Sequence, residues 1–229
     1  AVIHRLLLAA AIAAVLSASP AFAQPTSPAG EGATAATAAS PAAKALHALF
    51  DAEWERDMRE NPENASYRGD NRYNDRWTDL SLAAIAQREA TDRQVLAQLR
   101  AIDRSALSEQ DKLNYDVFLW QQQKAVERQK YKEWQRPLSQ RGGVQNAEGI
   151  AEVLRFSTAK DYRDWLARIE GMPLQLQQTT ALMREGLKAR NTPPRVLMER
   201  VTGQIAAQIV DDPTRSPFYK PFTKFPDAV

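Results

Sequence analysis

Large apolar side chains recur every three or four positions along most of the chain, and this spacing constrains the fold more than any other feature. The first such series comprises Leu46, Leu49, Phe50, Trp54 and Met58. A repeat of this kind places one apolar stripe along an α-helix. No segment sustains the alternation of apolar and polar residues that is typical of a half-buried strand. The sequence therefore predicts an all-α fold, built as an irregular array of several helices.

Capping residues and prolines predict where these helices begin. Predicted starts lie at Ser40 with Pro41, at Ser81, at Ser108 with Asp111, at Thr158 with Asp161, and at Thr192 with Pro193. Ser and Thr are favoured there because their hydroxyl accepts a free N–H of the first turn. Proline suits the first helical position because it has no N–H to leave unsatisfied.

Prolines also predict where helices end. Asn61-Pro62 stops the first helix, the third runs to about Trp134 before Pro137, and the last ends at Asp211-Asp212-Pro213. Within the helix that begins at Thr158, the 171–173 triplet of Gly, Met and Pro is expected to kink or split it.

The first 43 residues are expected to lie outside the folded domain. His4 and Arg5 precede a short apolar run over 6–16, and Ala21-Phe22-Ala23 supplies small residues for cleavage, so 1–23 is a predicted signal peptide. Residues 24–43 are rich in Ala, Thr, Ser and Pro and predict a flexible linker. The helical domain is then 44–229. We expect an exported protein, either periplasmic or secreted. After cleavage of the signal peptide it would have no membrane span.

Composition limits the chemistry that the chain can perform. Its 30 Lys and Arg against 28 Asp and Glu give a net charge of +2, too small to indicate a nucleic-acid partner. The absence of Cys excludes disulfides and thiolate metal sites within the chain. Only His4 and His47 are present, so no His-Glu-x-x-His zinc motif exists. A calcium loop starting at Asp70 fails because Arg72 and Arg76 occupy ligand positions.

Two loops are the remaining places for a binding role. The 141–144 stretch, Arg-Gly-Gly-Val, gives a backbone of unusual freedom that can approach another surface. The 216–222 stretch concentrates Pro, Phe and Tyr. Its aromatic rings either pack over helix ends and close the core, or line a peptide cleft.

Six short motifs follow one another in a familiar order. They lie at 115–119 (YDVFL), 141–145 (RGGVQ), 161–169 (DYRDWLARI), 181–186 (ALMREG), 192–196 (TPPRV) and 216–219 (SPFY). Together they resemble the N-terminal part of a family of exported bacterial proteins, domain of unknown function 885. The resemblance covers about 44–229.

The resemblance implies a longer parent, a zinc-dependent peptidase whose later half carries a His-Glu-x-x-His site. This chain would then be the front half of a larger helical protein, supplying cleft wall or scaffold, with no catalytic residue and no metal of its own. Its partners would be the missing C-terminal half and a peptide substrate. The alternative is a stand-alone periplasmic module that binds a peptide or protein.

The exposed loops supply the candidate substrate-binding residues, namely Arg141, Gln145, Arg195 and Tyr219. Arg195 would pair with a substrate carboxylate through a two-pronged contact. Its alternative role is to cover a helix start or to form an internal salt bridge.

Overall fold

The structure, a computed structural model, describes residues 40–224. The predicted signal peptide and the predicted linker up to residue 39 lie outside these residues. The six α-helices of the described part are α1 (Pro41–Glu60), α2 (Pro62–Tyr67), α3 (Leu82–Arg100), α4 (Glu109–Arg128), α5 (Ala159–Lys188) and α6 (Arg195–Ala206). Short 3₁₀-helical turns occupy much of the rest, and no strand occurs between residues 40 and 224. The all-α prediction is confirmed.

The first helix begins where its capping residue predicts. The Ser40 hydroxyl accepts the Ala43 N–H at 3.1 Å and donates to the Ala106 carbonyl at 2.9 Å. Helix α1 therefore includes 41–43, three residues that the sequence placed in the linker. It ends at Glu60 as expected, but Pro62 starts the short helix α2, which the sequence did not predict.

The main apolar core lies between α1, α3 and α4. Leu46 and Leu99 are fully buried there beside Tyr115, and the Phe118 ring packs edge-on against Phe50 with centroids 5.1 Å apart.

The predicted apolar stripe of α4 was wrong in part. The spacing of apolar residues predicts a stripe of Leu113, Val117, Phe118 and Trp120. Leu113 and Trp120 are however 58% and 59% exposed, and Tyr115 is the buried side chain of this helix. Helix α4 packs against α3 and so turns Leu113 and Trp120 outward. The sequence could not identify the buried face of α4, because apolar residues lie on both sides of this helix.

Helix α4 also ends earlier than predicted. It stops at Arg128 rather than near Trp134, and two 3₁₀ turns follow, joined by Lys132 at a φ of 45°. A left-handed residue cannot continue a right-handed helix, so the chain changes direction there.

Helix α5 is the longest element, and its capping box is as predicted. Thr158 accepts the Asp161 N–H, while the Asp161 carboxylate accepts the Thr158 N–H at 2.8 Å. Of the two outcomes expected at 171–173, a kink or a split, the split does not occur, because the helix runs through Pro173. Proline removes one backbone hydrogen bond, and burial of Trp165 before it and Leu182 after it holds both halves in place.

Helix α6 is shorter than predicted at both ends. It begins at Arg195 and not at Pro193, since Pro194 keeps the residue before it out of the helical region. It ends at Ala206, so Ile209 lies beyond the helix and is 78% exposed. Val201 is the buried residue of this helix.

The 216–222 stretch packs against α5. Its residues form a 3₁₀ segment, Pro217–Lys224, whose Phe218 carbonyl accepts the Trp165 indole N–H at 3.0 Å. The Phe218 ring stacks on Trp165 at 5.9 Å. The sequence left open whether these aromatic rings close the core or line a peptide cleft. The Phe218 ring packs in the first of these two ways.

Among residues 40–224, no helix is both long and apolar enough to cross a membrane.

Candidate functional site

A cavity of about 250 Å³ opens between α2, α5 and the 3₁₀ segment Val144–Glu152. Its apolar wall comes from Leu80, Val144, Ile150 and Met172. The polar and aromatic part of its lining comprises Glu63, Tyr67, Trp77, Asn146, Gln175 and Thr179. An apolar pocket with a few polar groups is the usual form of a small-ligand site.

Glu63 brings a carboxylate to this cavity from the first turn of α2. Its Oε1 accepts the Thr78 N–H at 3.2 Å, and its Oε2 accepts the Thr78 hydroxyl. Among the residues that the structure describes, no Lys or Arg forms an ion pair with Glu63. The cavity therefore contains an anionic group that neutral donors hold in place.

The loop before α3 forms one wall because it is tied to α5. The Gln175 side chain donates to the Thr78 carbonyl at 2.7 Å, and the Leu80 N–H donates to the Gln178 side chain at 2.9 Å. The Trp77 indole N–H donates to the Arg168 carbonyl at 2.7 Å. Gly171 allows that approach, since a Cβ there would lie 3.2 Å from the indole ring.

Arg168 is fully buried behind Trp77 and anchors the same loop. Its Nε donates to the Arg76 carbonyl at 3.0 Å, and its Nη2 donates to the Ser66 hydroxyl at 2.9 Å and to the Tyr73 carbonyl at 3.2 Å. Burial lowers the pKa of this guanidinium below its ordinary value, against the attraction of nearby carboxylates. Within 40–224 its Nη1 has no hydrogen-bond partner.

The glycine pair of the 141–144 loop also shapes the cavity. Gly143 lines it with a φ of 141°, and a Cβ there would come within 2.5 Å of the Gln145 side chain and 2.6 Å of Leu138. Only glycine fits this position without displacing both neighbours. The loop thus approaches a cavity through its backbone, in the manner that its composition indicated.

A comparison with protein families identifies the family of this chain. The sequence profile of a family described as bacterial protein of unknown function (DUF885) matches residues 62–229. The chain belongs to the DUF885 family. A comparison with functionally curated proteins finds no significant match. Every residue that lines the cavity falls inside the DUF885 match, while α1 lies outside it.

None of the four candidate binding residues that the sequence analysis placed on exposed loops lines this cavity. Arg141 is exposed on the loop, and Tyr219 is 37% exposed beside Phe222. Gln145 is buried and donates to the Ser139 carbonyl at 2.7 Å, so it supports the loop from inside.

Arg195 forms a salt bridge within the chain. It is the first residue of α6, and its guanidinium pairs with Glu199 at 2.9 Å on the exposed side of that helix.

A second cavity, of about 120 Å³, lies where α5 meets the chain before α6. Its lining is almost entirely apolar and includes Leu138, Met183, Leu187 and Met198. It has no charged group apart from Arg136, so it is the weaker candidate for a specific site.

Sequence reasoning missed Glu63, Trp77 and Arg168. Glu63 lies in the short helix that was not predicted. Trp77 lies in the 67–79 stretch, whose polar composition predicts a loop. A signal for Arg168 did exist, because it follows Tyr162 and Trp165 at helical spacing on the buried side of α5.

Zinc is the metal that the resemblance implies, and the described residues do not fit it. Among residues 40–224, no group of three His, Cys, Asp or Glu side chains could hold a metal ion. His47, the described histidine, instead bonds to Asp111 at 2.8 Å and links α1 to α4. No catalytic step is therefore assigned to a metal on these residues.

Proposed function

We propose that this chain forms the helical front half of an exported zinc-dependent peptidase of the DUF885 family, and that its larger cavity holds part of a peptide. In this proposal the chain binds and orients substrate, while the metal and its ligands come from residues outside those described. Binding energy from groups remote from the reacting bond can position a substrate for attack.

The observation that carries the proposal is the composition of the larger cavity. Its walls combine apolar side chains with a carboxylate, two aromatic rings and side-chain amides. Peptides present the same mixture of apolar side chains and hydrogen-bonding amides. Two tied segments, the loop before α3 and the 141–144 loop, hold these groups in a fixed arrangement around the opening.

A second candidate is the stand-alone peptide-binding module, and the molecular surface favours the front half over it. Large apolar side chains are exposed in more than one place, among them Leu113 and Trp120 on α4 and Val196 on α6. Exposed apolar surface of this kind is costly in a protein that works alone, and it suits a face that other protein covers.

Arg141, Arg195 and Tyr219 stay in the proposal as outer substrate contacts. Each of them reaches solvent, and the Arg195 side chain is 92% exposed. A peptide carboxylate would compete with Glu199 for the Arg195 guanidinium.

Filling the cavity tests the proposal. Ala147 lines the cavity, so Ala147→Phe occupies space that a peptide side chain needs. We expect the unmodified chain to bind members of a fluorescent tripeptide library in a polarisation assay, without cleaving them. Ala147→Phe should weaken that binding by about tenfold or more, which corresponds to the loss of one well-packed side chain.

The matched control is Ala181→Phe, which adds the same ring on the exposed side of α5. It should bind as the unmodified chain does. Absence of peptide binding, or equal loss in both variants, contradicts the cavity's role. Zinc-dependent cleavage of peptides by the purified chain would contradict the proposal that the catalytic centre lies outside the described residues.

A further inference from the structure

We infer that the larger cavity recognises a primary ammonium group carried on an apolar chain, with the Glu63 carboxylate as its counter-charge. The inference rests on the proposed peptide-binding role of this cavity and names the part of the peptide that enters it.

The first step concerns the acceptor capacity of Glu63. Each of its two oxygens accepts one hydrogen bond from Thr78, one from the N–H and one from the hydroxyl. A carboxylate oxygen has two lone-pair sites, so both oxygens can accept a further donor. An ammonium group supplies up to three N–H donors together with the opposite charge.

The second step concerns the buried cation Arg168. Its hydrogen bonds go to the carbonyls of Pro62, Tyr73 and Arg76 and to the Ser66 hydroxyl, and none goes to Glu63. Its guanidinium stacks over the Trp77 ring at 5.2 Å. Among nearby carboxylates Glu63 attracts the Arg168 guanidinium most strongly, but no hydrogen bond joins the two groups. The Glu63 oxygens can therefore still accept a donor from the cavity.

The third step concerns the aromatic rings beside Glu63. Tyr67 and Trp77 both line the cavity, and Tyr67 is 62% exposed. The face of an aromatic ring attracts a cation and tolerates its attached carbon chain. Arg168 already covers one face of Trp77, so the Tyr67 ring and the other face of Trp77 remain for a ligand. A carboxylate beside such rings favours an organic ammonium group over a bare metal ion.

The fourth step concerns the size and the apolar floor of the cavity. Leu80, Ile150 and Met172 offer apolar contact, and the volume of about 250 Å³ lies just below the usual range for drug-sized ligands, about 300–1,000 Å³. This space suits one amino-acid side chain with its ammonium group. A peptide amino terminus with an apolar first residue and a Lys side chain both bring that chemistry.

Three peptides separate these sources by isothermal titration calorimetry. They are Phe-Ala-Ala amide with a free amino terminus, the same peptide N-acetylated, and N-acetylated Ala-Lys-Ala amide. We expect at least one of the two ammonium peptides to bind the chain about tenfold or more tighter than N-acetylated Phe-Ala-Ala amide. Whichever binds tighter identifies the source as the amino terminus or the Lys side chain.

Glu63→Gln provides the second measurement, since it keeps the side-chain shape and removes the charge. It should abolish the preference for the ammonium peptide, while Glu170→Gln on the exposed side of α5 should retain it. The comparison of peptides on the unmodified chain needs no variant, so a folding defect in Glu63→Gln does not remove the test.

Two negative results have different meanings. Equal affinity for all three peptides, or a preference that survives in Glu63→Gln, overturns the ammonium inference and leaves peptide binding intact. Failure of every peptide to bind overturns the inference together with the proposed function.

Discussion

At the scale of single residues, Arg168 is the most unusual feature of the molecule. A fully buried arginine normally pairs with a carboxylate, yet this one bonds to backbone carbonyls and the Ser66 hydroxyl. Its acceptors belong to α2 and to the following loop, which are far from α5 in sequence. One side chain thereby ties three segments together behind the cavity wall.

Replacing Arg168 by Met should destabilise the protein. The change leaves the buried Ser66 hydroxyl and the partly buried hydrogen bonds to the Tyr73 and Arg76 carbonyls without their donor. We expect a loss of about 2–4 kcal/mol in the free energy of unfolding. Urea denaturation followed by circular dichroism measures it. Arg163→Met, on the exposed side of α5, is the control and should change stability by less than about 0.5 kcal/mol.

An unfolding free energy of Arg168→Met that is unchanged or higher would contradict this account. It would mean that relief from burying the charge outweighs the lost hydrogen bonds, as occurs when some buried ion pairs are replaced by apolar residues.

At the scale of elements, two helical glycines have opposite surroundings. Gly186 lies near the end of α5, where a Cβ would overlap the Gln135 carbonyl oxygen and lie 3.0 Å from the Asn191 carbonyl oxygen. Gly203 lies within α6, where no heavy atom would come within 4 Å of a Cβ. The first glycine permits close packing, and the second only adds freedom to the unfolded chain.

Alanine at these two positions should therefore act in opposite directions. Gly203→Ala should raise the free energy of unfolding by about 0.5–1 kcal/mol, because alanine has lower backbone entropy in the unfolded chain. Gly186→Ala should lower it by about 1–3 kcal/mol, because the turn formed by 133–135 must move away. Chemical denaturation of both variants in one buffer checks the signs, and equal signs would contradict the packing argument.

At the scale of the whole molecule, the apolar surface is divided between a core and exposed faces. Leu46, Leu99 and Tyr115 are buried in the core, whereas Leu113 and Trp120 face solvent from α4. The exposed pair lies on the opposite side of the same helix that supplies Tyr115. This division is what the proposed front half of a larger protein requires.

The exposed pair should bind an apolar dye in the folded state. We expect a fluorescent dye such as ANS to bind the native protein, and the double variant Leu113→Gln with Trp120→Gln to bind less of it. Because both side chains are exposed, the unfolding free energy should change by only about 0.5 kcal/mol. Fluorescence titration and thermal melting measure the two effects.

Leu46→Ala serves as the buried-site comparison for the stability of the α4 double variant. It empties a fully buried position and should lower stability by about 2–5 kcal/mol. Unchanged dye binding in the α4 double variant would show that Leu113 and Trp120 do not form the apolar surface to which the dye binds.

The sequence alone determined the long helices and most of their starts. Ser40, Ser81 and the Thr158–Asp161 pair cap helices where predicted, because a cap depends on atoms within a few residues of one another. The all-α class followed from spacing that each helix carries within itself. The DUF885 resemblance likewise rested on short motifs, and the family match confirms it.

Only the tertiary structure decided which face of α4 is buried, that α5 continues through Pro173, and where the cavity lies. Glu63, Trp77 and Thr179 are far apart in the sequence, and they share one cavity because Arg168, Gln175 and Gln178 tie the loop before α3 to α5. Such contacts depend on how elements pack, and local spacing carries no information about which distant carbonyl a buried guanidinium will reach.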